Sequence, residues 1–502
     1  MARTLRTIIR ISYIYQKMET VPLSGPAAAF FALEEQAYNC ISFPANSVLH
    51  LAALSHGQVA VLSDVIRYGG EFERLAIDSL CDNPLLDTAG KLIHDFGGLR
   101  SLSVSQDAET TKYEDEDDSD SESPCAAKFI ATAMQGSPEL ERISVSSIVV
   151  GGDDTKLLIS ALIGCPLLWA VRLSNCGLTQ DDLSQICVDW LGKNHTLREL
   201  YLDENRLSNE EIEVLALGFA SGPKNSLKAL SIRYASIGAK AAPFLVQLLE
   251  QLRGLTTFRI GENRVCHGCL KLFRVFAVLK SLRILDVAGN KAGKDGAYAL
   301  SSSLPKSVQK LILRENRFGP EGMSTLSPAL GELHELTQLD LAGNNLGQKG
   351  AAALVPALER LSLLRVLDLS ANELCFNGAK SLMNAVKKKK LIWLCTLRMG
   401  YNRLGATGVT EIAPAIARLK RLERLDLSHN EMGGKGAVAL AAAVGKLSRL
   451  AMLNVSFNSI DSVGVKALIN ATQQVKELVL SGNSMAKSRK VYGYEEETAD
   501  NA

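Results

Sequence analysis

The residues most able to do covalent or metal chemistry are few and poorly placed for it. Cys266-His267-Gly268-Cys269 is the chain's single CxxC pair. One such pair supplies half of a tetrahedral zinc site, and no second pair or histidine pair follows at finger spacing. The other eight cysteines are scattered through 502 residues, which suits free thiols in a reducing compartment better than a disulfide framework. The seven histidines are dispersed, and none is paired with a nucleophile by any pattern. No GxxxxGK[ST] phosphate loop, HExxH helix or GxSxG elbow occurs. The sequence therefore predicts no enzyme activity, no catalytic residue, no cofactor and no bound metal. What remains is recognition chemistry. Arginine, tyrosine and aspartate recur at fixed offsets, in the pattern expected of a surface that binds another protein.

Those offsets are set by a repeat. The segment Leu336-Thr-Gln-Leu-Asp-Leu-Ala-Gly-Asn344-Asn-Leu346 fits L-x-x-L-x-L-x-x-N-x-L throughout. The frame returns with Asn205, Asn263, Asn290, Asn316, Asn372, Asn402, Asn430, Asn458 and Asn483, with Cys176 and Ala235 in the asparagine place of two degenerate copies. The step from Asn316 to Asn344, and from Asn344 to Asn372, is 28 residues. Six residues after most of these asparagines stands a glycine, from Gly296 to Gly464, followed by an Ala/Leu-rich stretch such as Gly350 to Leu358. Weaker copies run through Leu140–Ile148, Leu99–Asp107 and Phe72–Leu80. A further one is read over Tyr38–Val48, with Asn46 in the ladder place.

Each L-x-L reads as a short strand with its leucines inward, and each Ala/Leu stretch as a helix running back. The asparagine amide can satisfy backbone groups where the chain leaves the strand. Strands stack ~4.8 Å apart and helices ~8–10 Å apart, so an array of both must curve with the strands on its concave side.

The period, the helix after each strand and the Asn-x-Leu…Gly-Ala-x-x-Leu mark resemble the ribonuclease-inhibitor-like class of leucine-rich repeat proteins, over about residues 70–485. Ran GTPase-activating proteins and NOD-like receptors share that repeat class. The resemblance implies an α/β solenoid, a curved horseshoe of about 14–16 repeats of ~28 residues, with a parallel sheet on the concave face and helices on the convex face. Far fewer cysteines set this chain apart from ribonuclease inhibitor.

The expected organisation is a basic N-terminal segment over 1–25 and a solenoid over 26–485. The solenoid has degenerate capping repeats over 26–150 and regular repeats over 165–485. An acidic insertion lies over 108–125, containing Glu114-Asp-Glu-Asp-Asp-Ser-Asp-Ser-Glu122, and a tail over 486–502. Residues 1–18 carry Arg3, Arg6, Arg10 and Lys17 with no acid, the composition of a mitochondrial targeting helix or of a plain basic tail before Met18. Lys387 to Lys390 read as a basic helix end, favoured by the helix dipole.

Within the strands, the positions that face the concave side carry the candidate partner-binding residues. They are Arg172, Tyr201, Arg259, Asp286, Asp340, Asp368, Arg398 and Asp426. Beyond the strand come Arg233 and Arg314, and beside the asparagines Tyr234, Glu262, Tyr401, His429 and Phe457. Lys+Arg (55) and Asp+Glu (54) nearly cancel, so neither nucleic acid nor an anionic membrane is an expected partner. The apolar stretch from Leu157 to Val171 contains Pro166 and is too short to span a bilayer. The expected function is a non-enzymatic, cytoplasmic scaffold holding a protein partner. The alternatives are a GTPase activator of the Ran type, acting on a small GTPase, and a structural subunit of a large assembly, mitochondrial if residues 1–18 target it.

Overall fold

The computed structural model describes residues 48–51, 59, 62–63, 73–77, 85–106, 124–150, 152, 154–221, 226–388 and 391–483. The basic N-terminal segment, the acidic run 114–122, Lys389, Lys390 and the tail from 486 lie outside them. The described residues fall into two compact units, one running to Arg206 with Ser221–Ser226, the other comprising Leu207–Ala220 and the chain from Leu227 onward.

The first unit holds strands β1 (Val48–Leu51), β2 (Arg74–Ile77), β3 (Ser101–Ser105), β4 (Arg142–Ser146), β5 (Ala170–Ser174) and β6 (Glu199–Tyr201), each parallel to the next. Helices α1 (Leu85–Phe96), α2 (Pro124–Gln135), α3 (Asp154–Ile163) and α4 (Gln180–Gln185) alternate with them. Pairing is in register through the degenerate copies, with Leu75, Leu102, Ile143 and Val171 opposite one another. The frame read at Asn46 is corrected by this register. Leu49 pairs with Leu75 and Leu51 with Ile77, so the strand starts after Asn46, which stands before it rather than in the ladder place. The inward leucines fix the register, because a slip of one residue would turn them outward. The 41-residue interval from Ser101 to Arg142 leaves that pairing intact. Helix α2 starts at Pro124, inside the range expected for the insertion, and proline is at home in a first turn.

The second unit carries α5 (Asn209–Ser221) and strands β7 (Ala229–Ser231), β8 (Thr257–Arg259), β9 (Ile284–Asp286), β10 (Lys310–Ile312), β11 (Gln338–Asp340), β12 (Val366–Asp368), β13 (Thr396–Arg398), β14 (Arg424–Asp426), β15 (Met452–Asn454) and β16 (Glu477–Val479). They pair in parallel in sequence order. The intervening helices are α6 (Ala242–Gln251), α7 (Cys269–Val275), α8 (Gly293–Ser301), α9 (Gly319–Leu330), α10 (Gly347–Leu358), α11 (Cys375–Lys387), α12 (Gly405–Ile416), α13 (Gly433–Val444) and α14 (Ser462–Ala471). The α/β solenoid expected from the repeats is what the structure has: parallel strands, with a helix returning between each consecutive pair from β2 onward.

Why the glycines recur follows from the packing. A Cβ on Gly350 would lie 3.0 Å from the Leu346 Cβ and 3.2 Å from the Pro320 Cα of the preceding helix. On Gly464 it would come 2.8 Å from the Ala437 Cβ. Adjacent helices therefore touch backbone to backbone at this position. Met323, Leu326 and Leu330 of α9, like Leu354 and Leu358 of α10, fill the layer beneath and are fully buried. Pro328, Pro356 and Pro414 occupy one repeat position near the helix end, where a missing N–H helps stop the helix within two residues.

Candidate functional site

The site is a surface, and the asparagine ladder is its foundation. Asn344 is representative. Its Oδ1 accepts from the N–H groups of Asn316 (3.2 Å) and Phe318 (3.4 Å) in the preceding repeat. Its Nδ2 donates to the carbonyls of Leu313, Leu341 and Ala342 at 2.9–3.2 Å. Asn316, Asn372, Asn402, Asn430 and Asn458 repeat the arrangement, and all are buried. Both ends of each amide are committed to backbone, so none of these asparagines is presented to a ligand. In the degenerate copy, Cys176 substitutes its thiol, which donates to the Val145 carbonyl at 3.5 Å, while Asn205 still receives its N–H.

The CxxC pair is absorbed by the same frame. Cys266 stands three residues after Asn263, the place of Gly293, Gly319 and Gly347, and shares their left-handed backbone, with φ 46°. Cys269 stands in the helix-contact place of Gly350 and is buried, which pushes its thiol up to about 12 and withholds the reactive thiolate. Among the described residues no three histidine, cysteine or acidic side chains are grouped to hold a metal ion.

The ladder fixes what lies on the helix-free face of the sheet. The strand positions after the inward leucine form one row, Arg259–Asp286–Ile312–Asp340–Asp368–Arg398–Asp426–Asn454, each paired with the next. Neighbours in that row are ~4.8 Å apart. Arg398 and Asp368 join at 3.4 Å. In the first unit, the Arg172 guanidinium lies 4.4 Å from the Tyr201 ring centroid, and the Tyr201 hydroxyl donates to Glu199 at 3.2 Å.

The central arginines are embedded in acids. Arg233 reaches across a whole repeat to Asp286, Nε to Oδ2 3.2 Å, while its guanidinium lies 5.2 Å from the Tyr234 ring centroid. Gly261 makes the crossing possible. A Cβ there would lie 2.7 Å from Asp286 Oδ1 and 3.4 Å from Arg233 Nε. Arg314 pairs with Glu315 at 2.7 Å and lies 4.0 Å from Glu262. Asp286 is almost fully buried, and burial raises its carboxyl above the ordinary range against the pull of the Ala288 N–H, Arg233, Arg259 and Arg314. Glu262 is raised by burial and by Glu315, and Asp340 is pushed up to about 6 by burial and by Asp368. The structure thus brings Arg233, Arg259 and Arg314 together with Glu262, Asp286 and Glu315, three cations with three acids. Asp286 and Asp368 sit beneath the surface, as supports for their arginines.

Tyr401, His429 and Phe457 form a second group. Their rings stack, with centroids 3.9 and 4.4 Å apart and interplanar angles of 13° and 14°. The spacing that puts these residues just before Asn402, Asn430 and Asn458 was visible in the sequence. The stacking was not, because it depends on the left-handed backbone at all three positions.

A leucine-rich repeat family profile matches residues 278–301, 305–327, 333–355 and 421–441. Mouse ribonuclease inhibitor is 26% identical over 250 residues, covering 43% of this chain and 54% of that protein. Pig ribonuclease inhibitor is 28% identical over 176 residues, covering 35% of this chain and 32% of that protein. Bovine NACHT, LRR and PYD domains-containing protein 3 is 24% identical over 209 residues, covering 40% and 20%. The chain spans about half or less of the length of the curated relatives it matches. It is a leucine-rich repeat protein of the ribonuclease-inhibitor-like class.

Proposed function

We propose that this protein is a non-enzymatic scaffold that holds a protein partner on the helix-free face of its sheet. The observation that carries this reading is the row of charged and aromatic side chains held in register above a ladder whose own polar groups are all committed to backbone. Such a row is broad and rigid, so ordering it on binding costs little side-chain entropy. Tyrosine and arginine, the residue types that dominate binding hot spots, stand together at Arg233, Tyr234, Arg259 and Arg314.

Arg233 is a poor residue to invert, since a glutamate there would face buried Asp286. The test uses Tyr234→Asn with Arg259→Gln, which removes the charge without setting another acid beside Asp286. Asparagine tolerates the left-handed backbone of Tyr234, at φ 50°. Tagged full-length protein and this variant, with matching thermal melts, are used to capture partners from cell extract for mass spectrometry. Loss of at least one captured protein from the variant is expected. An unchanged set would remove this face as the binding surface.

A further inference from the structure

The side chains just before the ladder asparagines lean toward the next repeat. A Cβ on Gly343 would lie 2.9 Å from the Glu315 side chain, and one on Gly482 would overlap the Phe457 ring. From Gly343 onward this row reads Gly343, Ala371, Tyr401, His429, Phe457, Gly482. Phe457 closes the stack over Gly482. At the other end, the position before Tyr401 is Ala371, itself exposed, with no side chain long enough to lie across the ring. Tyr401 therefore has one face on His429 and the other open, and it is 56% exposed. Three stacked rings with an open end face form an exposed aromatic platform unlike the isolated apolar residues normal on a surface.

The charges around it select the ligand. Arg398 is tied to Asp368, and Arg403 to Glu373 at 3.7 Å. Asp426 and Glu431 have no ion pair within 4 Å among the described residues. The platform thus lies among surplus carboxylates. A ring face beside uncompensated negative charge attracts cations, and a guanidinium more than an ammonium, because it is flat and weakly hydrated. A nucleobase could stack there too, but its phosphates would approach the same carboxylates.

We propose that the Tyr401–His429–Phe457 stack is the docking surface for an extended, arginine-bearing segment of a protein partner, with a guanidinium laid on the open face of Tyr401. This rests on the scaffold reading and gives it a partner chemistry.

The test titrates full-length protein into a fluorescein-labelled octapeptide of alternating glycine and arginine, followed by anisotropy, beside the lysine counterpart. The arginine peptide should bind about fivefold more tightly than the lysine peptide. Tyr401→Asn with Phe457→Asn should weaken it by about tenfold. Asp426→Asn with Glu431→Gln should weaken it and flatten its salt dependence. Phe457→Asn alone, at an exposed turn position, provides a second variant with an intact fold. Absence of binding, equal affinity for the two peptides, or binding indifferent to the ring substitutions would each overturn the proposal. Tyr298→Ala, on the exposed side of α8, should leave peptide binding unchanged. If the ring variants bind peptide normally while the Tyr234→Asn, Arg259→Gln protein still loses its captured partners, this inference fails and the scaffold reading stands.

Discussion

In the repeats of Asp286, Asp340 and Asp368 a buried asparagine amide and a largely buried aspartate carboxylate sit four residues apart, with opposite consequences. The amide is neutral and makes up to five hydrogen bonds to backbone. Asn372→Ala would leave buried N–H and C=O groups of two repeats unsatisfied, at a cost on the order of 3 kcal/mol. Asn483, part-buried in the last described repeat, should cost less when replaced, and urea melts of the two variants would rank them. The carboxylate is charged and incompletely matched. Asp340 is raised from an ordinary value of 3.8 to about 6, so the folded state binds its proton more tightly than the unfolded state does. Stability from this group is therefore greatest below the unfolded value and falls as the pH rises through about 6. Asp340→Asn keeps an acceptor for the Ala342 N–H and removes the charge. It should stabilise at pH 7.5 by on the order of 1 kcal/mol and do almost nothing at pH 3.5. A stabilisation equal at both pH values would show that burial of the charge is not the cause.

Glycines that look alike in the sequence do different things in their elements. Gly350 lies where two helices meet, and Gly350→Val would overpack that contact, at a cost of about 1–3 kcal/mol. Gly347 has nothing within 4 Å of a built Cβ but a left-handed φ of 58°, so Gly347→Ala should cost only the backbone strain, about 1 kcal/mol. Thermal melts that put the two substitutions in the opposite order would contradict this assignment. Cys266 and Cys375 take the same left-handed position as Gly347, with φ 46° and 51°. Glycine is favoured there rather than required. The repeat frame thus explains the CxxC pair without any chemistry for it.

For the whole molecule, stability is distributed along the array, since each repeat packs only on its neighbours. Two compact units with their own buried leucines should not unfold in one all-or-none step. Trp169 and Trp190 report on the first unit and Trp393 on the second. Urea transitions followed by tryptophan fluorescence in Trp393→Phe protein and by far-ultraviolet circular dichroism should fail to superpose. Coincident curves would mean that the units unfold as one.

The sequence alone determined the repeat, its strand, its helix and its asparagine ladder. Each is a local pattern written many times, and identical neighbours give identical contacts. It also placed the candidate surface residues on one face, because strand side chains alternate with a period of two. It did not determine which of them meet. Arg233 and Asp286 are 53 positions apart, and their ion pair depends on the missing side chain at Gly261. Arg233 and Arg314, which the repeat spacing marks only as candidate surface residues, are matched to acids. Likewise the tyrosine, histidine and phenylalanine before three asparagines became a stack only because left-handed turns aim all three along the array and Gly482 leaves room at its end. Such meetings are contacts between unlike repeats, where the small residue that lets a neighbour pass matters as much as the pair it joins, and only the tertiary structure decides them.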